Sequence, residues 1–244
     1  MIMVYGVSQH VSKFFQMVHT ALFLLTISVI LSGCLTVRPP AEIEYTDGAA
    51  VTSLSSKISL SYSAPGRSIS GSGYFMYRKP DQMRIVILSP FGSVLQEIFI
   101  SGEFVTIVDA GNGVAFSGTY SDLPEKGDFS GWRYIHWLID IDPPDSLRDN
   151  GAIERINRFG QQERAAFENG LLISKTTPAG GQVRYGRYAV VQGVPLPLEI
   201  KYENAAREKF TILLEDSETN VPFADGAFTP NLGNIHVYPL SSLK

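Results

Sequence analysis

From Lys57 to Leu214 the chain alternates between short apolar runs and clusters of turn formers. Ile58-Ser59-Leu60-Ser61-Tyr62 puts an apolar side chain at every second position, the period of a half-buried strand. Ser68 to Tyr77 carries Gly71 and Gly73, which predicts a bent strand. Arg84-Ile85-Val86-Ile87-Leu88 is a continuous apolar strand. Further strands are predicted at 95–100, 104–108, 114–117, 155–159, 163–167, 171–176, 183–191, 196–202 and 209–214. Gly111-Asn112-Gly113 is a hairpin signal. Short strands at this spacing predict one antiparallel sheet that curls on itself. One stretch breaks the pattern. Ser130 can cap a helix with Trp132, Ile135, Leu138 and Ile139 on one face, ended by Pro143-Pro144. A single helix inside an antiparallel meander can close its concave side. The expected fold class is mainly β (α+β): an unclosed antiparallel β-barrel or half-barrel with a helical lid over an apolar cavity. By alternation the inward side chains are Leu60, Tyr62, Phe75, Tyr77, Ile85, Ile87, Ile98 and Ile100, with Trp132, Ile135 and Leu138 from the lid. The opposite parity would turn the other face inward. Any one of these residues equally fits an ordinary filled core.

The N-terminus follows a different rule. After Lys13 comes the apolar run Ala21 to Ile30, which breaks at Ser32-Gly33. A membrane-spanning helix needs roughly 20 apolar residues, so this run reads as a secretory signal instead. Leu31-Ser32-Gly33-Cys34 resembles the bacterial lipobox. Small residues ahead of the cut let the extended chain fit a peptidase, and the cysteine thiolate takes the diacylglycerol. The alternative is a plain secretory signal with an incidental cysteine. Cys34 is the sole cysteine, so no internal disulfide can form. The expected organisation is residues 1–33 as a removed signal, with Met1, Met3 or Met17 as start. Residues 34–56 follow as lipidated Cys34 and a flexible tether, and residues 57–244 as one domain. No cofactor is expected beyond the covalent N-acyl and S-diacylglycerol groups on Cys34. At about 0.8 kcal/mol per buried CH₂, these chains suffice for stable anchoring. Leu35 rather than Asp follows the cysteine, which by resemblance to enteric-type bacteria favours the periplasmic face of the outer membrane.

Charge and chemistry narrow the function. The formal charge is −4, and it becomes −5 without the signal, which contains Lys13 and no acidic residue. An acidic balance argues against nucleic acid as a partner. His136 lies near Asp140 and Asp142 but among Trp132, Ile135 and Trp137, so it reads as a structural or surface residue; His236 is isolated. There is no G-x-S-x-G elbow and no second histidine at metal-ligand spacing. No catalytic or metal-binding residue is assigned, and a binding protein rather than an enzyme is expected. The informative segment is Leu88-Ser89-Pro90-Phe91-Gly92-Ser93. Pro90 and Gly92 are turn formers, and Phe91 between them is a large aromatic at a loop tip. It suits contact with a membrane or a partner, or else folds back over the sheet.

Gln82 to Ser93, followed by Gln96-Glu97-Ile98, resembles the corresponding segment of the LolB family of outer-membrane lipoprotein receptors. The similarity continues through Gly111-Asn112-Gly113, and recurs at Trp137-Leu138 with Pro143 and at Pro197-Leu198-Glu199-Ile200 through Leu213. It covers most of residues 57–215, and the specific part is 82–109. The resemblance implies an unclosed barrel with a helical lid. It implies a protein that takes acylated cargo lipoproteins from a LolA-type periplasmic carrier and inserts them into the outer membrane. Phe91, with Pro90 and Gly92, then matches the protruding membrane-transfer loop, where the family has a leucine; Ser89 stands where the family has Asn. Residues 216–244 have no clear LolB counterpart, and Phe228-Thr229-Pro230 is similar to LolA-type tails. The expected partners are the carrier, the acyl chains of cargo, and the outer membrane through the anchor, with the protein a monomer. The competing expectation is a structural or assembly lipoprotein that docks a periplasmic protein through its sheet. A sheet filled by its own side chains would favour that second reading.

Overall fold

A computed structural model describes residues 43–124 and 130–243. The signal segment and Cys34 lie outside the described residues. Thirteen strands form one sheet: β1 (Ser53–Ala64), β2 (Arg67–Arg78), β3 (Gln82–Leu88), β4 (Val94–Ser101), β5 (Phe104–Asp109), β6 (Val114–Thr119), β7 (Gly151–Ile156), β8 (Gln162–Glu168), β9 (Leu171–Thr176), β10 (Gln182–Val191), β11 (Val194–Glu203), β12 (Lys209–Thr219) and β13 (His236–Pro239). Their order is β13-β6-β5-β4-β3-β2-β1-β12-β11-β10-β9-β8-β7. Two antiparallel meanders, β1–β6 and β7–β12, thus meet where β1 pairs with β12. Among the described residues only β13 runs parallel, on the outer edge of β6. β13 and β7 do not pair with each other, so the barrel is unclosed.

Register aligns the apolar positions into rows. Phe75, Ile85, Ile98, Ile107 and Phe116 face one another in turn across β2 to β6. On the other side, Tyr62 pairs with Phe210 and Phe210 with Tyr202. With period two these side chains all point to one face, and curling of the sheet encloses them. Gly73, one of the two glycines expected to shape β2, is required by a close approach of the strands. A Cβ on Gly73 would lie 1.7 Å from the Val86 carbonyl oxygen, so β2 and β3 approach too closely for any side chain there.

The crossover between the meanders carries the lid. The single helix expected from Ser130 is instead a 3-10 turn, Ser130–Tyr134, followed by a short α-helix, α1 (Ile135–Ile139). All five residues of α1 are buried. A helix this short has no stability of its own, so packing on every side holds it.

Four other boundaries differ from expectation. The strand expected at 155–159 ends at Ile156, because the Asn157 carboxamide oxygen accepts the amides of Phe159 and Gln161 and folds 157–160 into a turn. β1 begins at Ser53, inside the expected tether, and Leu54 is 1% exposed. The stretch ahead of β1 is fastened too. Tyr45 donates to the Asn169 carbonyl at 2.6 Å, and Asp47 accepts both the amide and the hydroxyl of Ser146. A polar composition suited a tether, but these polar groups are spent on long-range bonds. Finally, residues 220–243 form a strap. Leu232 and Ile235 cover Phe99, Val108 and Ala115 on the convex face, before β13 joins β6.

Candidate functional site

The concave face and its rim hold the residues expected to matter. Leu60, Tyr62, Phe75, Tyr77, Ile85, Ile98, Ile100, Trp132, Ile135 and Leu138 are all buried in one cluster, and Ile87 is half-buried against it. The structure brings all eleven to the inward face. It also packs them: Trp132 meets Phe210 edge-on and Trp137 meets Tyr202 edge-on, so α1 and the 3-10 turn occupy the concave side. The cavity expected there is filled by these side chains. The second meander contributes as much as the first, through Tyr185, Leu196, Ile200, Tyr202, Phe210 and Ile212. The same alternation that marked the first meander marks these residues.

A buried polar cluster, which sequence reasoning missed, ties α1 to the second meander. Lys175 on β9 donates to the carbonyls of Trp137 and, at 2.9 Å, Asp140. Tyr185 on β10 donates to the Leu138 carbonyl at 3.0 Å. The carbonyls left over at the end of α1 are therefore satisfied from the sheet. Glu163 on β8 accepts from Trp137 Nε1 at 2.7 Å, from Arg155 at 2.7 Å and from Asn157 at 3.2 Å. Arg155 bridges onward to Asp142 at 2.6 Å, and Arg158 pairs with Asp140 at 3.1 Å. Burial pushes the Lys175 ammonium down to about 8, with the carboxylates of Asp140, Glu163 and Asp142 opposing. For Glu163 burial acts to raise the pKa, but the bonds from Trp137 and Arg155 and the charge of Lys175 leave it below the usual range. Within this cluster the neighbouring charges oppose the cost of burial at both Lys175 and Glu163.

At the β3–β4 hairpin, Phe91 is 96% exposed and does not fold back. The turn pairs its own amide N–H groups. Ser89 and Ser93 bond main chain to main chain at 2.8 Å, Gly92 donates to the Ser89 carbonyl at 2.9 Å, and Ser89 Oγ accepts the amides of Phe91 and Ser93. Gly92 has φ +83°, which favours glycine. Pro90, Val94 and Leu95 are exposed beside Phe91, and no charged residue occurs from Ile85 to Gln96.

At the rim, Arg158 Nη1 donates to the Pro80 carbonyl at 2.8 Å, joining the β7–β8 turn to the β2–β3 turn across the curl. Beside this junction is an open cleft of about 940 Å³, lined by Asp81, Gly102, Tyr120, His136 and Trp137 among others. His136 is buried rather than superficial, and burial lowers its pKa. Its Nδ1 and the Tyr120 hydroxyl are buried without a hydrogen-bond partner. His236 is exposed and packs on Tyr238. A second cleft of about 420 Å³ lies along β7–β9, between Arg155, Arg164 and Thr176.

An open, largely antiparallel half-barrel with a short helix across its concave face is a LolA-like fold. Solved structures match it at low identity. A LolA superfamily protein from Nitrosomonas europaea is 15% identical, with a TM-score of 0.51, over 73% of this chain and 90% of the other. A domain described as an outer membrane lipoprotein-sorting protein, from Vibrio parahaemolyticus, is 5% identical, with a TM-score of 0.52, over 72% and 89%. A DUF1329 family protein from Desulfovibrio piger is 11% identical, with a TM-score of 0.53, over 73% and 90%. No protein-family model and no curated protein matches the sequence. The likeness at these identities is one of fold.

Proposed function

We propose that this chain is an envelope lipoprotein, anchored through acylated Cys34 to the periplasmic face of the outer membrane. It takes acylated cargo from a LolA-type carrier onto its concave face and passes the cargo to the bilayer. The observation that carries this reading is the concave face itself. It is a continuous apolar surface roofed by one five-residue helix, on a fold shared with a LolA superfamily protein. Two or three acyl chains in water cost tens of kcal/mol, at about 0.8 kcal/mol per CH₂, so a carrier needs an apolar interior of this kind. Here the chains take the place of α1. They displace the helix by breaking its bonds to Lys175, Tyr185 and Glu163, and they repack against Ile85, Ile98 and Ile100. The polar groups of Lys175, Tyr185 and Glu163 so released find water at the rim, and the apolar side chains of α1 stay against the acyl chains. Phe91 enters the bilayer first, on an uncharged turn whose amides are already paired, so its insertion leaves few bare backbone groups in lipid.

A specific observation favours a second reading, a lipoprotein that docks a periplasmic protein through its sheet. The interior is filled by its own side chains, and β7 leaves an edge on which Ile153 and Ile156 are exposed. A transfer assay separates the two. Protein comprising residues 35–244 is mixed with a LolA-type carrier loaded with a lipoprotein. Under the receptor reading cargo moves to the wild type; Phe91→Glu accepts it and fails to release it to liposomes. If the wild type accepts no cargo, the docking reading replaces it.

A further inference from the structure

Among the described residues two buried side-chain polar atoms lack a partner, the Tyr120 hydroxyl and His136 Nδ1, and their rings lie together at the rim of the concave face. The rings of Tyr120 and His136 are 4.9 Å apart between centroids, and both residues line the 940 Å³ cleft. Tyr120 follows β6, and His136 is the second residue of α1. Leaving a buried donor or acceptor unpaired is costly, so such atoms are uncommon in a folded protein. We propose that Tyr120 and His136 form a subsite for a secondary amide at the head of an acyl chain, the group where chain meets peptide in an acylated peptide. This inference rests on the acyl-binding reading above.

The chemistry selects that group. His136 donates from its ring to the Gly102 carbonyl; with Nδ1 unpartnered, the donor is Nε2. Burial keeps the ring neutral, so Nδ1 is an acceptor. Burial also keeps the Tyr120 hydroxyl protonated, so it can donate. The site therefore offers one acceptor and one donor on two neighbouring rings. A secondary amide supplies the complement on two adjacent atoms: its N–H to Nδ1 and its carbonyl to the hydroxyl. An ester or a carboxylate lacks the N–H. An alcohol has to serve both partners through a single oxygen, within about 3 Å of each.

Position supports the same ligand. Trp137, next to His136 on α1, belongs both to the cleft wall and to the apolar cluster. A chain lying in the concave interior would bring its head group to this point. Both atoms are shut off from solvent while α1 is seated, and α1 carries His136. The bonds that α1 makes to Glu163, Tyr185 and Lys175 come from Trp137, Leu138 and Asp140, so an acyl chain frees the C-terminal end of the helix and uncovers the two atoms while His136, near its N-terminal end, stays beside Tyr120. The cleft walls bear Asp81 and Glu103 as well as Arg133 and Arg158, so neither sign of charge dominates. Recognition through an amide, with no charge preference, suits cargoes that share an acylated terminus and differ in sequence.

The test uses the full chain in lipid nanodiscs and three probes with the same sixteen-carbon chain type: N-hexadecanoyl-glycine methylamide, methyl hexadecanoate and hexadecan-1-ol. Binding is read from tryptophan fluorescence and corrected against protein-free nanodiscs. The amide should bind about tenfold more tightly than the ester and the alcohol, the worth of one or two sheltered hydrogen bonds. It should also shift the ¹⁵N resonance of His136 Nδ1, assigned by its loss in His136→Gln. Tyr120→Phe and His136→Leu should each erase most of the preference while the chain still binds. His136→Gln, which keeps an acceptor and a donor, should restore it. Tyr120→Phe deletes an unpaired hydroxyl, so its thermal midpoint should equal or exceed that of the wild type. Equal binding of the three probes overturns the amide subsite and leaves the acyl-binding reading standing. A preference that survives both Tyr120→Phe and His136→Leu overturns it as well. If no probe binds, both fall.

Discussion

Lys175 ties the end of α1 to the sheet. Its folded pKa of about 8 lies below the 10.5 of an ordinary lysine. Between these values the unfolded chain binds more protons than the folded one, so stability rises with pH across that window. The increment is about 3 kcal/mol, from a shift of somewhat over two units. Urea unfolding of wild type and Lys175→Met at pH 7.5, 9 and 10 should therefore diverge in favour of the wild type as pH rises; parallel curves would mean that the amine is not buried as described. Gly73→Ala tests the sheet in the same way. Its Cβ would collide with the Val86 carbonyl, and a loss of about 3 kcal/mol or more is expected in the same assay. Gly73 was legible in the sequence as a special position, since a glycine inside a strand pattern marks a bend or a close backbone approach, and the structure shows the close approach. Lys175 was not. By simple alternation it lies on the face opposite Leu172, but a register shift between Ala166 and Phe167 brings Leu172 and Lys175 to the same side. A bulge is a tertiary event, and period-two counting passes over it.

Among the elements, those with local causes were readable. The Phe91 hairpin was visible because Pro90 and Gly92 dictate a turn whatever surrounds them, and the exposed tip follows. Phe91→Glu should leave unfolding free energy within about 0.5 kcal/mol of wild type, since the side chain has no packing to lose. It should at the same time reduce binding of the protein to liposomes in a flotation assay. The lid was visible as one helix and emerged as a 3-10 turn plus α1, because burial on all sides lets the backbone tighten to fit the concave surface. β13 was not visible at all. His236-Val237-Tyr238-Pro239 is short and ends in proline, and it forms only because the strap from 220 lays it beside β6. The strap's contribution is measurable: Ile235→Asp places a charge against Phe99 and Val108 and should cost about 1–3 kcal/mol, with acyl binding unchanged because the concave face is untouched.

For the whole molecule, alternation carried the architecture. Once each strand has one apolar face, a sheet of this length buries it by curling, and the inward parity of Leu60 or Ile98 follows from register. What alternation leaves open is volume. Whether inward side chains line a space or fill it depends on how closely α1 approaches, and that is set by the bonds from Lys175, Tyr185 and Glu163, which join distant parts of the chain. The filled interior and the acyl-binding reading are compatible if α1 is a removable occupant, held by polar bonds that water can replace. The most direct measurement is photo-crosslinking of the full chain in nanodiscs with a palmitoylated peptide bearing a diazirine at mid-chain, followed by mapping of the labelled residues. The account predicts label on concave positions such as Ile85, Ile98, Ile100 and Trp132. Label confined to the Phe91 hairpin and the convex face would contradict it.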